Sequence, residues 1–185
     1  KSAIKYASDG CTRQAPNPQY IAENILDRNF KAEKPNEKWL TDVTEFKWYE
    51  GIDKHKIYLS AILDLYDRMI TAFVIRDSND NKLVYDTFDK AVQANPEAHP
   101  IFHSDRGYQY TSRVFHQKLV KAGMTQSMSR VAKCLDNGPM EGFWGILKRE
   151  RYYGKRFTSR DALVQMITDY IDYYNHKRLQ RNLGV

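Results

Sequence analysis

Three acidic residues, Asp42, Asp105 and Glu141, stand where their side chains could bind a metal ion. Asp42 interrupts a run of aromatic and β-branched residues, a setting that disfavours Asp by roughly 1 kcal/mol. Asp105 follows a short apolar run and precedes Arg106-Gly107, at the carboxyl end of a predicted strand, where α/β folds commonly bind ligands. Glu141 follows Pro139 in the first turn of a predicted helix. Carboxylates on two strands and a helix can converge on one site.

Each of these acids also has a purely structural explanation. Asp42 would suit the surface of an edge strand, and Asp105 would suit a turn beside Gly107. Glu141 is favoured at a helix amino terminus by the helix dipole. Only the combination of the three favours a metal site.

Oxygen ligands of this kind suit hard divalent cations, Mg²⁺ or Mn²⁺. Two such ions about 4 Å apart can activate a water or a DNA 3′-hydroxyl and stabilise the leaving oxygen of a phosphodiester. This chemistry needs no protein nucleophile, and the sequence contains no GxSxG elbow, HExxH motif or GxxxxGK[ST] loop. His103-Ser104-Asp105, read as a fragment of a hydrolytic triad, is the weaker alternative.

The elements that must position the acids begin with three runs rich in aromatic and β-branched residues, at 39–46, 56–63 and 69–75. Their short connections allow hairpins but no helical crossover, so these strands should be antiparallel. The next predicted elements are a helix after a Ser78-Asn79 cap and a strand at 100–104. A helix capped by Thr111 or Ser112 and closed at Gly123 follows, and then a strand at 124–128. The last two predicted elements are a helix opened by Pro139 and a helix starting at 158–161. Together they predict an α/β fold, a mixed sheet with helices on its faces.

The chain of 185 residues is long enough for one compact domain. Residues 1–38 are polar, contain three prolines and show no sustained apolar period, so they predict an arm or linker with one helical turn near residues 20–25. The ordered domain is expected over 39–185. Because the first residue is Lys rather than Met, we expect a piece of a longer protein.

The charge balance leans toward polyanionic partners without proving one. Lys and Arg number 29 against 23 acidic residues, giving a net charge of +6, which an ordinary basic protein could also have. The two cysteines, Cys11 and Cys134, are far apart, so no zinc module or disulfide framework is indicated and a reducing cytoplasm is expected. No run approaches the roughly 18 apolar residues of a membrane span, so no membrane partner is expected.

Three segments, WLTDVT at 39–44, HSDRGYQYTS at 103–112 and DNGPME at 136–141, resemble bacterial insertion-sequence transposases related to retroviral integrases, most closely the IS-three family. In that family the last two acids of a DDE triad are separated by 35 residues, and here positions 106–140 supply that interval. The closing YYNHKR segment at 173–178 is similar to the family's C-terminal signature.

The resemblance implies a ribonuclease-H-like core, with a five-stranded mixed sheet flanked by helices. It carries the catalytic and metal-binding acids onto Asp42, Asp105 and Glu141, with Asp42 and Asp105 side by side on the sheet. It also implies two Mg²⁺ or Mn²⁺ ions, 3′-end cleavage and strand transfer on element ends and target DNA, a homo-multimer in the active complex, and action at the nucleoid.

The loop before Glu141 departs from the family pattern, because residues 131–135 read VAKCL where relatives usually have Lys-Gly-Asn-Cys-Tyr, and Gly138 replaces a common Ala. Two other functions therefore stand beside transposition. One is a ribonuclease-H-like nuclease that only hydrolyses. The other is a catalytically inactive DNA-binding remnant.

Four basic residues are candidates for DNA contact. Lys148 lies seven residues after Glu141, on the same helix face, where it could neutralise a phosphate beside the metal ions. Arg130 and Lys133, in the preceding loop, could contact the DNA backbone without reading bases. Arg106 could do the same or could pair with a neighbouring Asp.

Overall fold

The structure is a computed structural model that describes residues 17–131 and 134–179. Its strands are β1 (Lys38–Glu50), β2 (Asp53–Asp64), β3 (Ile70–Arg76), β4 (Ile101–Ser104) and β5 (Thr125–Met128), and its α-helices are α1 (Asn81–Ala94), α2 (Arg113–Lys121), α3 (Gly138–Leu147) and α4 (Arg160–His176). A 3-10 turn (Cys134–Asn137) precedes α3, and a π-helical segment (Lys148–Tyr152) follows it. Within these described ranges, no helix combines the length and apolar character that a membrane crossing requires.

The five strands form one mixed sheet in the order β3-β2-β1-β4-β5. β1, β2 and β3 pair antiparallel, which confirms the prediction from their short connections. β4 pairs parallel with β1, and β5 pairs parallel with β4. The β1–β2 hairpin turns at Gly51, whose φ of +59° is a conformation that glycine adopts at little steric cost. The α/β fold with a five-stranded mixed sheet is therefore confirmed.

Helices cover both faces of the sheet, and the side-chain alternation of β1 assigns its residues to the two faces. Leu40 and Phe46 pack in the core beneath α3 and α4. Trp39 and Val43 pack in the core beneath α1 and α2. Asp42 has the parity of Leu40 and Phe46, so its side chain lies on the α3 side of the sheet.

Two helix starts settle questions that the sequence left open. α1 is capped by Asp80, whose Oδ1 accepts a 2.9 Å hydrogen bond from the amide of Leu83, so the Ser78-Asn79 cap was wrong. Asp80 takes this role because it stands three residues before Leu83, the spacing that an N-cap side chain needs. α2 is capped by Ser112, which accepts from the Phe115 amide, while the Thr111 hydroxyl donates to the Gly107 carbonyl.

The described part of the predicted arm, residues 17–37, has neither helix nor strand, yet it packs on the sheet domain. Leu26 is buried and its amide donates to Oγ of Ser127 over 3.1 Å. The Met128 amide donates to the carbonyl of Glu23 over 3.2 Å. The helical turn predicted near residues 20–25 is not formed, because the amide of Tyr20 donates to the carbonyl of Thr111 and the carbonyl of Glu23 accepts from Met128 in β5.

Candidate active site

Asp42 lies on β1, and Asp105 directly follows β4, the parallel neighbour of β1. β1 pairs with β4 so that Leu40 lies opposite His103, and continuing this register by two residues brings Asp42 alongside Asp105. Both carboxylates lie at the carboxyl end of the β1–β4 pair, the edge where α/β folds place ligand groups. β1 is the central strand of the sheet, so the edge-strand explanation of Asp42 is wrong.

Asp105 shapes its own turn as well as facing the site. Its Oδ1 accepts a 2.9 Å hydrogen bond from the amide of Gly107, two residues on. This local bond is the turn that the sequence suggested as a structural alternative. The two explanations are compatible, because one carboxylate oxygen accepts from Gly107 and the carboxylate as a whole still stands beside Asp42.

The helix that carries Glu141 is fastened to β1 at two points. Nε1 of Trp144 donates to Oδ2 of Asp42 over 3.0 Å, and Nδ2 of Asn137 donates to the carbonyl of Thr41 over 3.1 Å. Trp144 lies three residues after Glu141, so both side chains project from the same face of α3. The Glu141 side chain is exposed to solvent on that face.

The surroundings of Asp42 disfavour the charged form of its carboxyl group. Burial raises the pKa of Asp42 to about 7, and the charges of Asp105 and Glu141 contribute to the rise, while the hydrogen bond from Trp144 opposes it. Partial burial of the carboxyl group also raises the pKa of Glu141, even though the side chain reaches solvent. A cation at this position would offset the repulsion that Asp105 and Glu141 exert on the charged form of Asp42.

Within the described ranges, no three carboxylate, histidine or cysteine side chains lie close enough to hold one metal ion together. The acids are instead arranged as an adjacent pair, Asp42 and Asp105, with Glu141 near enough to influence the charge of Asp42. Mg²⁺ is commonly bound by one or two carboxylates with phosphate oxygens and waters in its other positions. The pair therefore meets the minimum protein ligand set for one such ion.

Lys148 lies on the same side of α3 as Trp144, as the spacing predicts. Its Nζ donates to Oγ1 of Thr44 over 2.7 Å and stands 5.1 Å from the centre of the Phe46 ring. Thr44 and Phe46 follow Asp42 along the same face of β1, so Lys148 lies just beyond the acids. The π-helical segment begins at this lysine, and π-helical turns are frequent at functional sites.

The other predicted DNA contacts have structural partners or fall outside the described residues. Nε of Arg106 donates to the carbonyl of Ser129 over 2.8 Å, which is a different partner from the neighbouring Asp that the sequence suggested. The guanidinium of Arg130 forms two 2.9 Å hydrogen bonds with Asp136. Lys133 lies outside the described residues.

Asp136 is a residue whose role sequence reasoning missed. Its side chain is buried, and it accepts from Arg130, from Nε of Arg28 at 2.7 Å and from Nδ2 of Asn24 at 3.1 Å. The hydrogen bonds from Arg130 hold the pKa of Asp136 well below its usual range, and Arg28 adds to the effect. Asp136 thereby ties the arm to the loop before α3. The only sequence signal was its place in the DNGPME segment, which gives no partner.

The hydrolytic-triad alternative is wrong. His103 is buried, with Nδ1 2.9 Å from Oγ of Ser127 and Nε2 3.1 Å from Oγ of Ser129. Oγ of Ser104 donates to the backbone carbonyl of Asp105 over 2.8 Å. Both ring nitrogens of the histidine are therefore used away from Ser104, and burial lowers the pKa of His103 to about 4.

Comparison with known proteins identifies the family of this chain. Two family models, both described as Integrase core domain, match residues 32–134 and 141–184. An uncharacterized transposase-like protein of Haemophilus influenzae is 46% identical over 164 residues, which are 89% of this chain and 74% of that protein. The chain belongs to the integrase-core transposases of the IS-three family. The first match includes Asp42 and Asp105, and the second begins at Glu141.

A second relative covers the chain to a similar extent but is longer. The putative transposase InsK for insertion sequence element IS150 of Escherichia coli is 40% identical over 163 residues. These residues are 88% of this chain and 56% of InsK. The chain thus spans little more than half the length of that transposase.

Solved structures with the same fold are retroviral integrases, which have a ribonuclease-H-like core. A chain of the simian T-cell lymphotropic virus intasome, in complex with PP2A regulatory subunit B56 gamma, matches with a TM-score of 0.69 and 17% identity, covering 92% of this chain and 58% of that one. The HTLV-2 integrase catalytic core domain in complex with magnesium matches with a TM-score of 0.61 and 16% identity, covering 81% and 93%. These likenesses establish the fold.

Proposed function

We propose that this chain is the catalytic core of a DDE transposase, which cleaves the 3′ ends of its element and transfers them to target DNA. Asp42, Asp105 and Glu141 are the proposed catalytic and metal-binding acids. The observation that carries the proposal is the β1–β4 register, which when continued brings Asp42 alongside Asp105, under a helix that Trp144 fastens to Asp42. A half-buried acid beside another acid has no comparable structural purpose.

We propose that the acids bind two Mg²⁺ or Mn²⁺ ions, since carboxylate oxygens are hard ligands and the pKa of Asp42 is raised by burial and by the charges of Asp105 and Glu141. Asp42 and Asp105 would hold one ion between them, and Glu141 would complete the second position when DNA phosphates are present. The HTLV-2 integrase core, a structural neighbour, contains magnesium. Bound ions would activate the attacking hydroxyl and stabilise the leaving oxygen.

The protein side chains around the acids orient and bind. Trp144 fixes one oxygen of Asp42, and Asn137 fixes the start of α3 relative to β1. Lys148 is positioned to neutralise a DNA phosphate beyond the acids. Arg106, Arg130 and Lys133 are proposed backbone contacts in the loop that leads to Glu141.

The wider assembly follows from the chemistry. Two element ends must be brought to one target, so we propose a homo-multimer on DNA as the active complex, acting at the bacterial nucleoid in the cytoplasm. We propose 39–185 as the catalytic domain and 1–38 as an arm. Residues 17–37 of the proposed arm contact the core through Leu26, which bonds to Ser127, and Arg28, which bonds to Asp136.

A catalytically inactive DNA-binding remnant is the second candidate. The altered sequence at 131–135 favours it, since this loop leads directly to the helix of Glu141. A nuclease that hydrolyses without joining is the third. Both share the fold, so only the products formed separate them from a transposase.

The test incubates the protein with labelled element ends, a target plasmid and Mg²⁺ or Mn²⁺. Asp105→Asn is compared in parallel with Asp161→Asn, a matched change at a carboxylate whose side chain is 95% exposed on α4. Joined products that Asp105→Asn abolishes and Asp161→Asn retains support transposition. Hydrolysis without joining identifies a nuclease, and binding without any product identifies the remnant.

A further inference from the structure

A cleft of about 550 Å³ lies at the far end of the β1–β2 hairpin from the acids. Its lining residues come from β1, β2, the connection after β3 and the start of α4; they are Trp48, Lys54, His55, Lys56, Tyr58, Asp77 and Arg160. Trp48 is six residues beyond Asp42 on β1, and a strand rises about 3.3 Å per residue, so the cleft is on the order of 20 Å from the acids. We propose that this cleft binds the phosphate backbone of DNA.

The cleft carries more positive than negative charge. Its single carboxylate, Asp77, is matched by Arg160, with hydrogen bonds of 2.7 and 3.1 Å. Lys56 lies 2.9 Å from Glu45, a carboxylate outside the cleft lining. Lys54 is exposed, and across residues 17–131 and 134–179 it forms no ion pair. The lining residues therefore present cationic groups to a polyanion and no carboxylate other than Asp77.

An aromatic pair shapes one wall and presents a ring nitrogen that has no hydrogen-bond partner among the described residues. The rings of Trp48 and His55 stack with centroids 4.4 Å apart and planes 21° apart. Nε2 of His55 is buried and has no hydrogen-bond partner in the described structure, and Oε2 of Glu50 lies 3.8 Å from it. In the tautomer that carries the ring proton on Nε2, this imidazole can donate to a phosphate oxygen.

The dimensions suit a duplex that also reaches the acids. Each DNA strand carries one phosphate per 3.4 Å of rise, so about six nucleotides span the distance of roughly 20 Å. Lys148, in contact with Thr44 and Phe46, lies between the acids and Trp48 along one face of β1. His55 is opposite Trp48 and shares that face, whereas Lys54 and Lys56 are opposite Tyr49 and Lys47 on the other face, so the cleft is lined from both faces of the hairpin. The identity of the ligand as DNA rests on the proposed function. The contact would position the duplex without reading its bases.

The test measures the affinity of fluorescent duplexes by anisotropy in EDTA, between about 50 and 200 mM salt, so that it requires no catalysis. Lys54→Ala/Lys56→Ala is compared with Lys90→Ala/Lys121→Ala, which removes the same charge from exposed sites on α1 and α2. The salt slope is the slope of log K for DNA binding against log salt concentration, and each lost phosphate contact lowers its magnitude by about 0.9. The cleft variant should therefore bind about 3–10-fold more weakly, with a slope smaller in magnitude by about two. The control variant should change less than about twofold.

His55→Phe keeps the ring stack and removes the donor, so it should weaken binding while the fold, followed by circular dichroism, is unchanged. Two duplexes separate the sources of the phosphate. A loss confined to the element end assigns the cleft to that DNA, and an equal loss on an unrelated duplex assigns it to the backbone of target DNA as well. If the cleft and control variants bind alike on both duplexes, the proposal is overturned, even when the protein is an active transposase. If the protein has no transposase activity but the cleft variant still binds DNA more weakly than the control variant, the catalytic proposal fails and the cleft proposal stands.

Discussion

Nε1 of Trp144 donates a 3.0 Å hydrogen bond to Oδ2 of Asp42, and this bond joins the helix of the third acid to the strand of the first. Trp144→Phe keeps most of the ring packing and removes the donor. A hydrogen bond to a charged group is worth about 1.5–3 kcal/mol, so we expect a roughly 10- to 100-fold lower rate of strand transfer with little change in DNA affinity. Single-turnover rates and anisotropy measure the two quantities.

Trp39→Phe is the matched control, because the indole of Trp39 also donates a hydrogen bond, to Oδ1 of Asn36 over 3.1 Å, away from the acids. It should lower stability without lowering the rate of the folded protein. Equal rates for Trp144→Phe and wild type would show that this bond does not orient Asp42.

The raised pKa of Asp42 makes stability depend on pH in the absence of metal. The folded state favours the neutral acid, so its contribution is fully present below pH 4 and is lost as the pH rises toward about 7. In EDTA at pH 8, we expect Asp42→Asn to raise the Tm by roughly 5 °C while abolishing activity. Added Mg²⁺ should raise the Tm of wild type and leave Asp42→Asn nearly unchanged. A Tm for Asp42→Asn at or below that of wild type in EDTA would contradict this account.

His103 gives the opposite pH dependence. Burial lowers its pKa to about 4, so the folded state holds the neutral ring and stability is lost as the pH falls from about 6.5 to about 4. The difference from the ordinary histidine pKa corresponds to about 3 kcal/mol. His103→Gln should therefore lose less stability than wild type over that interval in urea unfolding experiments. His99→Gln, at an exposed histidine, should follow the wild-type curve.

Asp136 forms ion pairs with Arg28 and Arg130 and so connects residues 17–37 to the loop before α3. Asp136→Asn leaves Arg28 and Arg130 without their carboxylate, and we expect a loss of about 3 kcal/mol at pH 7. Because the pKa of Asp136 is lowered in the fold, wild type should lose this advantage as the pH drops below 4. Asp89→Asn, which breaks an exposed pair with Lys118, should cost less than about 1 kcal/mol. Equal losses in urea unfolding would mean that the buried cluster contributes no more than a surface pair.

Lys148 is predicted to contact a DNA phosphate beyond the acids. Lys148→Ala should weaken duplex binding several-fold and lower the salt slope by about 0.9. Thr44→Val removes the 2.7 Å hydrogen bond that anchors the ammonium group but keeps the charge, so its affinity should change less than about threefold. If Thr44→Val weakens binding as much as Lys148→Ala, the lysine acts through the structure of the strand rather than on DNA.

Much of the fold could be predicted from sequence because its signals are local. Alternating aromatic and β-branched residues marked β1 to β3, and short connections fixed their antiparallel pairing. The α1 cap was misplaced by one or two residues because three neighbouring polar side chains can all cap a helix, and only the amide of Leu83 selects Asp80. The packing of residues 17–37 was missed because a polar segment that bonds to β5 shows no periodicity of its own.

By itself the sequence predicted most of the elements and, through its resemblance to a family of transposases, the three acids that we propose as the triad. The tertiary structure decided what surrounds them. Pairing of β1 with β4 brings Asp42 to Asp105, and the bond from Trp144 to Asp42 joins residues 102 positions apart. Asp136 meets Arg28 across 108 positions. No local pattern encodes such partners, because their proximity is created only when the strands pair and the helices pack on the sheet.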